Sequence, residues 1–383
     1  MFFYYIVLMI TLCTLAIALL VGPFEKHFDV AGENRAEIQR ALAEVPSDQV
    51  AGMEWLITHM PEQDLKTLSA DFLLTNCDLA YEAWRNAPWA TQISEDIFFD
   101  TILPYASVNE RRDNWRKDFR EKFSEVVKDA KTPSEATVLL NQQIYSMVGV
   151  KYSTDRPKAD QSPYESIDAG MASCTGLSIL LIDACRSTGV PARFVGTPLW
   201  YNDSGNHSWV EIWDDGWHFT GGAEPTGNKL DEAWFAGSAG KATKGDPEHA
   251  IFAVTWNHSE QHFPLVWLPE VTTYGAIDVT DRYKSKDESQ LIPIRIVSYG
   301  GKGKRVVVKT LIFDASGNVV FEGWTKDDSA DANDHLTFML PSNVTCTFLS
   351  NADGVSKKIE DEEIIEVICI KFRVIWFFRA PFS

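Results

Sequence analysis

Two side chains, Cys174 and His207, stand in settings that suit nucleophilic chemistry. Cys174 lies within Met171-Ala172-Ser173-Cys174-Thr175-Gly176-Leu177-Ser178. Upstream, Asp168-Ala169-Gly170 is turn chemistry. Downstream, Leu177, Leu180, Leu181 and Ala184 recur at helical spacing until Gly189-Val190-Pro191 ends the run. A thiol at a helix N-terminus meets the positive end of the macrodipole and unpaired backbone N–H groups, which favour the thiolate. The ordinary fate of a lone free Cys is a small buried hydrophobe, so the thiol alone decides nothing. What weighs against that fate is Asn206-His207-Ser208-Trp209-Val210-Glu211-Ile212-Trp213, which alternates with period two. Asp214-Asp215-Gly216 then supplies a hairpin turn, and Trp217 to Thr220 a return strand. A Cys at a helix start followed by a His on a strand is the order that a Cys–His pair requires: the imidazole takes the thiol proton and later gives it to the leaving group.

The blocks Ala172-Ser173-Cys174-Thr175-Gly176, Gly189-Val190-Pro191-Ala192-Arg193, Asn206-His207-Ser208-Trp209-Val210-Glu211 and Gly216-Trp217-His218-Phe219 occur in that order. Over residues 165 to 225 this chain resembles the transglutaminase-like (papain-like) cysteine enzyme superfamily. The resemblance implies an α+β core in which the Cys-bearing helix packs on an antiparallel sheet, whose neighbouring strands supply the His and an acidic third residue. In that superfamily a Trp is followed four residues later by the acid. Here Trp217 is followed at that offset by Gly221, and the nearest carboxylate is Glu224. A three-residue turn pairs Trp213 with Trp217 and, by extension, sets Ala223 opposite His207; strict alternation then points Glu224 to the wrong face. A bulge at Gly221-Gly222 would correct the register, and Glu224 is the expected orienter of His207 on that basis. The competing reading is that Glu224 pairs elsewhere and a backbone carbonyl, or no group, orients the ring. Glu211 shares the face of His207 and fits an Arg partner; His218 reads as a strand residue on the return arm. The backbone N–H of Cys174 is a natural oxyanion donor, with Gln142, Gln143 or Ser173 as the second.

The elements that must position these groups occupy only part of the chain. Its 383 residues allow two or three domains, and 45% hydrophobic and 12% aromatic content argue for filled cores. With 35 Lys and Arg against 54 Asp and Glu, the net charge of −19 disfavours nucleic acid as a partner. The six cysteines are too scattered for a disulfide framework. Neither a CxxC pair nor an HExxH run is present, so neither a metal nor a cofactor is expected.

Residues 1–24 are uncharged and apolar, and read as a signal peptide or a retained membrane anchor. Residues 25–135 read as a helical region, with Ser47 to Ile57, Leu65 to Trp84 and Asn109 to Asp129 among its helices. Residues 136–283 form the transglutaminase-like core, entered through the Thr132-Pro133-Ser134-Glu135 cap signature. Tyr152 to Ala169 reads as a polar loop. Residues 284–355 alternate as strands and resemble a small carboxypeptidase-regulatory-like or Ig-like β-sandwich, and residues 356–383 are a tail without an assigned role.

The function expected from this reading is acyl transfer at amide bonds through a thioester, by an exported enzyme that is periplasmic, at the cell surface or secreted, with a protein or peptide substrate. A peptidase is favoured. A protein-glutamine transglutaminase or deamidase, and a catalytically inactive binding module, are the alternatives.

Overall fold

The computed structural model describes residues 24–284, 291–300, 303–341, 343–350, 353–358, 363–370 and 373–379. The apolar run at the N-terminus, read as a leader or anchor, lies outside the described residues but for Phe24. Among the described residues no helix is long and apolar enough to cross a membrane.

Eight helices come first: α1 (Glu25–Ala31), α2 (Arg35–Glu44), α3 (Val50–His59), α4 (Glu62–Thr67), α5 (Ala70–Asn86), α6 (Glu95–Thr101), α7 (Arg116–Val127) and α8 (Pro133–Val148). Local chemistry sets several of their starts. The single helix expected over Leu65 to Trp84 is broken because Ser69 caps α5, its side chain accepting from the Phe72 N–H. The expected helix from Asn109 begins instead at Arg116, because Glu110 turns back to accept from the Ser107 and Val108 N–H groups. Thr132 caps α8, with Pro133 in its first turn.

Strand β1 (Lys151–Tyr152) pairs in parallel with β2 (Met171–Ala172). Between them the expected loop contains α9 (Pro163–Ala169), which starts in a complete Ser162/Glu165 capping box. Then come α10 (Cys174–Ser187), β3 (Ala192–Thr197), β4 (His207–Trp213), β5 (Trp217–Thr220), the short α11 (Ala236–Ala239), β6 (Phe252–Val254) and β7 (Ala276–Asp278). These strands form one antiparallel sheet ordered β5-β4-β3-β6-β7. Helix α10 lies between this sheet and the N-terminal helices, and every residue from Thr175 to Ser187 is buried. That explains why its sequence is apolar over most of its circumference rather than along one stripe.

A single hydrophobic core runs from Phe24 through the helices and α10 to Ala276. Two buried arginines fasten the same seam. Arg186 donates to the carbonyls of Thr101, Ala192, Pro104 and Ala106, and Arg116 to those of Arg186, Ile102, Leu103 and Pro104. Each charge is thus matched by carbonyl dipoles, as a buried cation requires.

The last eight strands are β8 (Leu291–Tyr299), β9 (Lys309–Phe313), β10 (Val319–Trp324), β11 (Leu336–Pro341), β12 (Thr345–Ser350), β13 (Asp353–Lys358), β14 (Glu363–Ile370) and β15 (Arg373–Arg379). They make two four-stranded sheets, β10-β9-β12-β13 and β11-β8-β14-β15. Ile294, Ile296, Ile312, Phe338 and Phe348 from both sheets share one core, which makes the pair a sandwich. Strands β14 and β15 fall in the tail that the sequence left unassigned; β14 runs parallel to β8.

Candidate active site

Ser173 caps α10. Its Oγ accepts from the Gly176 N–H at 3.2 Å and donates to the Ala159 carbonyl at 2.7 Å, so Cys174 becomes the first helical residue. The thiol is partly exposed, at the positive end of a helix of 14 residues. His207 opens β4. The neighbouring Ser208 sets the spacing between helix and strand: its hydroxyl meets that of Thr175 at 3.1 Å, and its carbonyl accepts from the Ser178 hydroxyl at 3.2 Å.

The result is a constellation in which the Cys174 sulfur, a His207 ring nitrogen and an Asp331 carboxylate oxygen all lie within 4.8 Å of one another. Glu224 Oε2 stands 3.7 Å from Nε2 of His207, and Asp331 Oδ2 stands 3.8 Å from Nδ1. The imidazole is 1% exposed. Trp234 and Phe235 pack against it, with ring centroids 4.8 and 4.9 Å away. Burial alone would lower the pKa of this ring. The Cys174 thiol, Glu224 and Asp331 outweigh burial and raise it well above the usual 6.5. The ring is therefore poised to hold a proton beside the thiol, which is the imidazolium half of a thiolate–imidazolium pair.

Glu224 reaches His207 by a route other than the expected bulge. Strand β5 stops at Thr220, and the chain turns so that the Glu224 N–H donates to the Gly221 carbonyl at 3.2 Å. Ala223 takes a left-handed φ of 64° in this turn. Asn141, buried on α8, holds the turn from both sides: its Nδ2 donates to the Gly221 carbonyl, and its Oδ1 accepts from the Ala223 N–H. Close approach of backbone demands a glycine at 222, whereas at 221 it is the Glu224 side chain that fills the space. A Cβ at Gly222 would lie 2.9 Å from the Leu177 carbonyl carbon and from the Ser178 nitrogen of α10. A Cβ at Gly221 would lie 2.0 Å from Glu224 Oε2. The Glu224 carboxylate thus fills the space into which a side chain at 221 would project. Position 221 is where the sequence resemblance leads to the expectation of an acid, and the Glu224 carboxylate occupies that space instead.

Other expected candidates are engaged elsewhere. Gln142 donates to the Gly227 carbonyl and Asn228, Gln143 is exposed, and the Ser173 hydroxyl is committed to its cap and to Ala159. The Gln142 and Ser173 side chains are thus committed to other partners. Glu211 binds Arg193, Arg282 and the Tyr283 hydroxyl in a buried network. His218 pairs with Asp231 at the surface.

One residue at the site carries no signal in the sequence. Asp331 lies on the loop between β10 and β11 of the sandwich and is buried against the core. Arg305 holds that loop by donating to the carbonyls of Asp327, Ala330, Ala332 and Asp334. Tyr152 anchors it from the other side, its hydroxyl accepting from the Ala332 N–H at 2.9 Å. The loop separates two cavities. One, of about 250 Å³, is lined by Cys174, Tyr152, Trp267 and Asp331. The other, of about 630 Å³, is lined by Glu224, Gly222, Trp234 and Asp331.

Residues 121–220 match the family model of the transglutaminase-like superfamily, so the chain carries a domain of this family. No curated protein matches the chain. Among solved structures, a provisionally named cysteine protease from Cytophaga hutchinsonii is 15% identical, covering 35% of this chain and 44% of its own, with a TM-score of 0.28. The pilus adhesin SpaC from Lactobacillus rhamnosus GG is 9% identical, covering 48% of this chain and 29% of its own, at 0.18. Red sea bream transglutaminase is 10% identical, covering 76% of this chain and 60% of its own, at 0.24. The chain therefore spans less than two thirds of the length of each.

Proposed function

We propose that this chain, whose residues 121–220 carry a transglutaminase-like domain, is an acyl-transfer enzyme with Cys174 as nucleophile, His207 as its acid and base, and Glu224 as the residue that orients His207. The observation that carries the reading is the arrangement around one imidazole: the thiol at a helix N-terminus on one side and a carboxylate 3.7 Å from Nε2 on the other. In the forward step the Cys174 thiolate attacks an amide carbonyl. In this reading the Cys174 N–H receives the developing oxyanion, and His207 protonates the leaving amine. The thioester is then resolved as His207 takes a proton from the incoming nucleophile, and the thiolate leaves.

The substrate class is a protein or peptide. Water as the acceptor makes the enzyme a peptidase, which suits the export suggested by the apolar N-terminal run; an amine acceptor would make it a transglutaminase. An exported location, at the cell surface, in the periplasm or in the medium, is part of the same proposal.

The test exploits the other thiols. Burial pushes those of Cys77 and Cys185 up to about 12, so both are unreactive at neutral pH. Iodoacetamide should label Cys174 at least about a hundredfold faster than either, and His207→Ala should abolish that advantage. Equal labelling in both proteins would reject the catalytic pair and leave the inactive binding module. A peptide-library screen with an added amine then separates hydrolysis from transamidation.

A further inference from the structure

We propose that Cys174, His207 and Asp331 form a binding site for a borderline-soft divalent cation such as Zn²⁺, which would silence the thiol and lock the sandwich onto the core. The three donors are a thiol, an imidazole and a carboxylate, within 4.8 Å of one another. A tetrahedral Zn²⁺ with bonds of about 2.0–2.3 Å needs its ligand atoms about 3.5 Å apart. The His207–Asp331 separation of 3.8 Å is already close to that, and the remaining closure is within side-chain adjustment.

The surroundings resemble those of a built site. Asp331 Oδ1 is held by the Asn333 N–H at 2.9 Å, which leaves Oδ2 directed at His207 Nδ1. That nitrogen is buried and has no hydrogen-bond partner among the described residues. The opposite nitrogen faces Glu224 at 3.7 Å, the outer carboxylate that commonly fixes a metal-bound imidazole. Arg305 preorganises the loop that presents Asp331. The fourth coordination position would face the cavity of about 250 Å³ lined by Cys174 and Asp331. A sulfur–nitrogen–oxygen set selects zinc-like ions over Ca²⁺ and Mg²⁺, which prefer all-oxygen shells.

Binding would transfer the thiol proton to solvent and place the ion between nucleophile and base. Since Cys174 and His207 belong to the core and Asp331 to the sandwich, the ion would also cross-link the two. Capture needs only these donors, whichever reaction the thiol performs, so it stands or falls separately from the acyl-transfer reading.

The experiment titrates metal-free, full-length protein with Zn²⁺ against a chromophoric chelator, and with Co²⁺ as a spectroscopic substitute. One equivalent should bind, Co²⁺ should give a thiolate-to-metal charge-transfer band, and Zn²⁺ should raise Tm where Ca²⁺ does not. Glu224→Gln should weaken binding about 10–100-fold, and Asp331→Ala and Cys174→Ala at least as much. Asp331→Ala should also lose the Zn²⁺-induced rise in Tm while keeping its near-UV circular dichroism. Absence of stoichiometric binding, absence of the thiolate band, or Asp331→Ala binding as tightly as wild type would overturn the site.

Discussion

The clash at Gly221 allows the role of Glu224 to be tested by adding a methyl group and no charge. In Gly221→Ala the new Cβ would sit 2.0 Å from Glu224 Oε2 and 2.9 Å from its Cδ. What must give way is the end of a flexible side chain, 18% exposed, so the fold should survive with a stability change under about 1 kcal/mol. The displaced carboxylate loses its place 3.7 Å from Nε2. Coulomb's law at an effective dielectric of 20 gives about 4.5 kcal/mol for two unit charges at that distance. Water at the partly exposed carboxylate screens some of this, and Asp331 remains beside Nδ1. The net loss should be about 2.7 kcal/mol, or a hundredfold in turnover, matching Glu224→Gln. Proton affinity gives a second readout. The folded pKa of His207 lies above 6.5, so the imidazolium that supports the thiolate persists through neutral pH and is lost as pH rises through the folded value. With the carboxylate displaced, the upper inflection of Cys174 alkylation against pH should move to lower pH. The double variant Gly221→Asp/Glu224→Ala, which moves the carboxylate to the other backbone position, should recover at least about tenfold over Glu224→Ala. Wild-type turnover and an unmoved alkylation profile in Gly221→Ala would refute the assignment of Glu224.

Cys174→Ala should fold with wild-type circular dichroism and lose all measurable turnover; retained activity would end the thiol mechanism. Asn141→Ala frees the turn that carries Glu224 and should cost about 2 kcal/mol in stability, together with a drop in turnover that Asn141→Asp does not fully restore, because Asp lacks the Nδ2 donor. A turnover unchanged in Asn141→Ala would mean that the turn keeps its shape without the clamp. Arg305→Ala removes a nearly buried cation from the carbonyls of the Asp331 loop and should destabilise the sandwich by about 3 kcal/mol in chemical denaturation, while Cys174 alkylation becomes faster as the loop loosens. Unchanged alkylation would show that the loop does not control access to the thiol.

The parts of the site set by neighbouring residues were legible in the sequence. The capped start of the Cys174 helix, the His207 strand and the Trp213–Trp217 pairing are local, and each follows from periodicity and turn chemistry. The preceding helices and the late strands follow from the same patterns, whereas the α+β core and the sandwich were implied by resemblance. Glu224 was legible as a residue but not as a geometry: alternation suggested a bulge, whereas Asn141, distant in sequence, stabilises a turn with Ala223 in a left-handed conformation. Asp331 was not legible. Thr325 to His335 reads as a polar connection, and only the docking of the sandwich, through contacts such as Asn333 to the Asn206 carbonyl, brings its carboxylate to the imidazole. The α9 turn was hidden inside a stretch read as a loop, although its Ser162/Glu165 box was visible.

The unbroken core beneath α10 makes the N-terminal helices a condition for the folding of the Cys174 domain rather than an accessory to it. Trp89 donates its indole N–H to the Gly189 carbonyl just beyond the C-terminal end of the Cys174 helix, and Arg116 donates to Arg186 on its last turn. Residues 24–284 should therefore melt as one cooperative unit, and a shortened protein started at residue 136 would expose α10 on the side away from the sheet. Substitutions at Phe98 or Phe119, far from the thiol in sequence, would reach the site through the same packing, because those helices form the floor on the side of α10 away from the sheet.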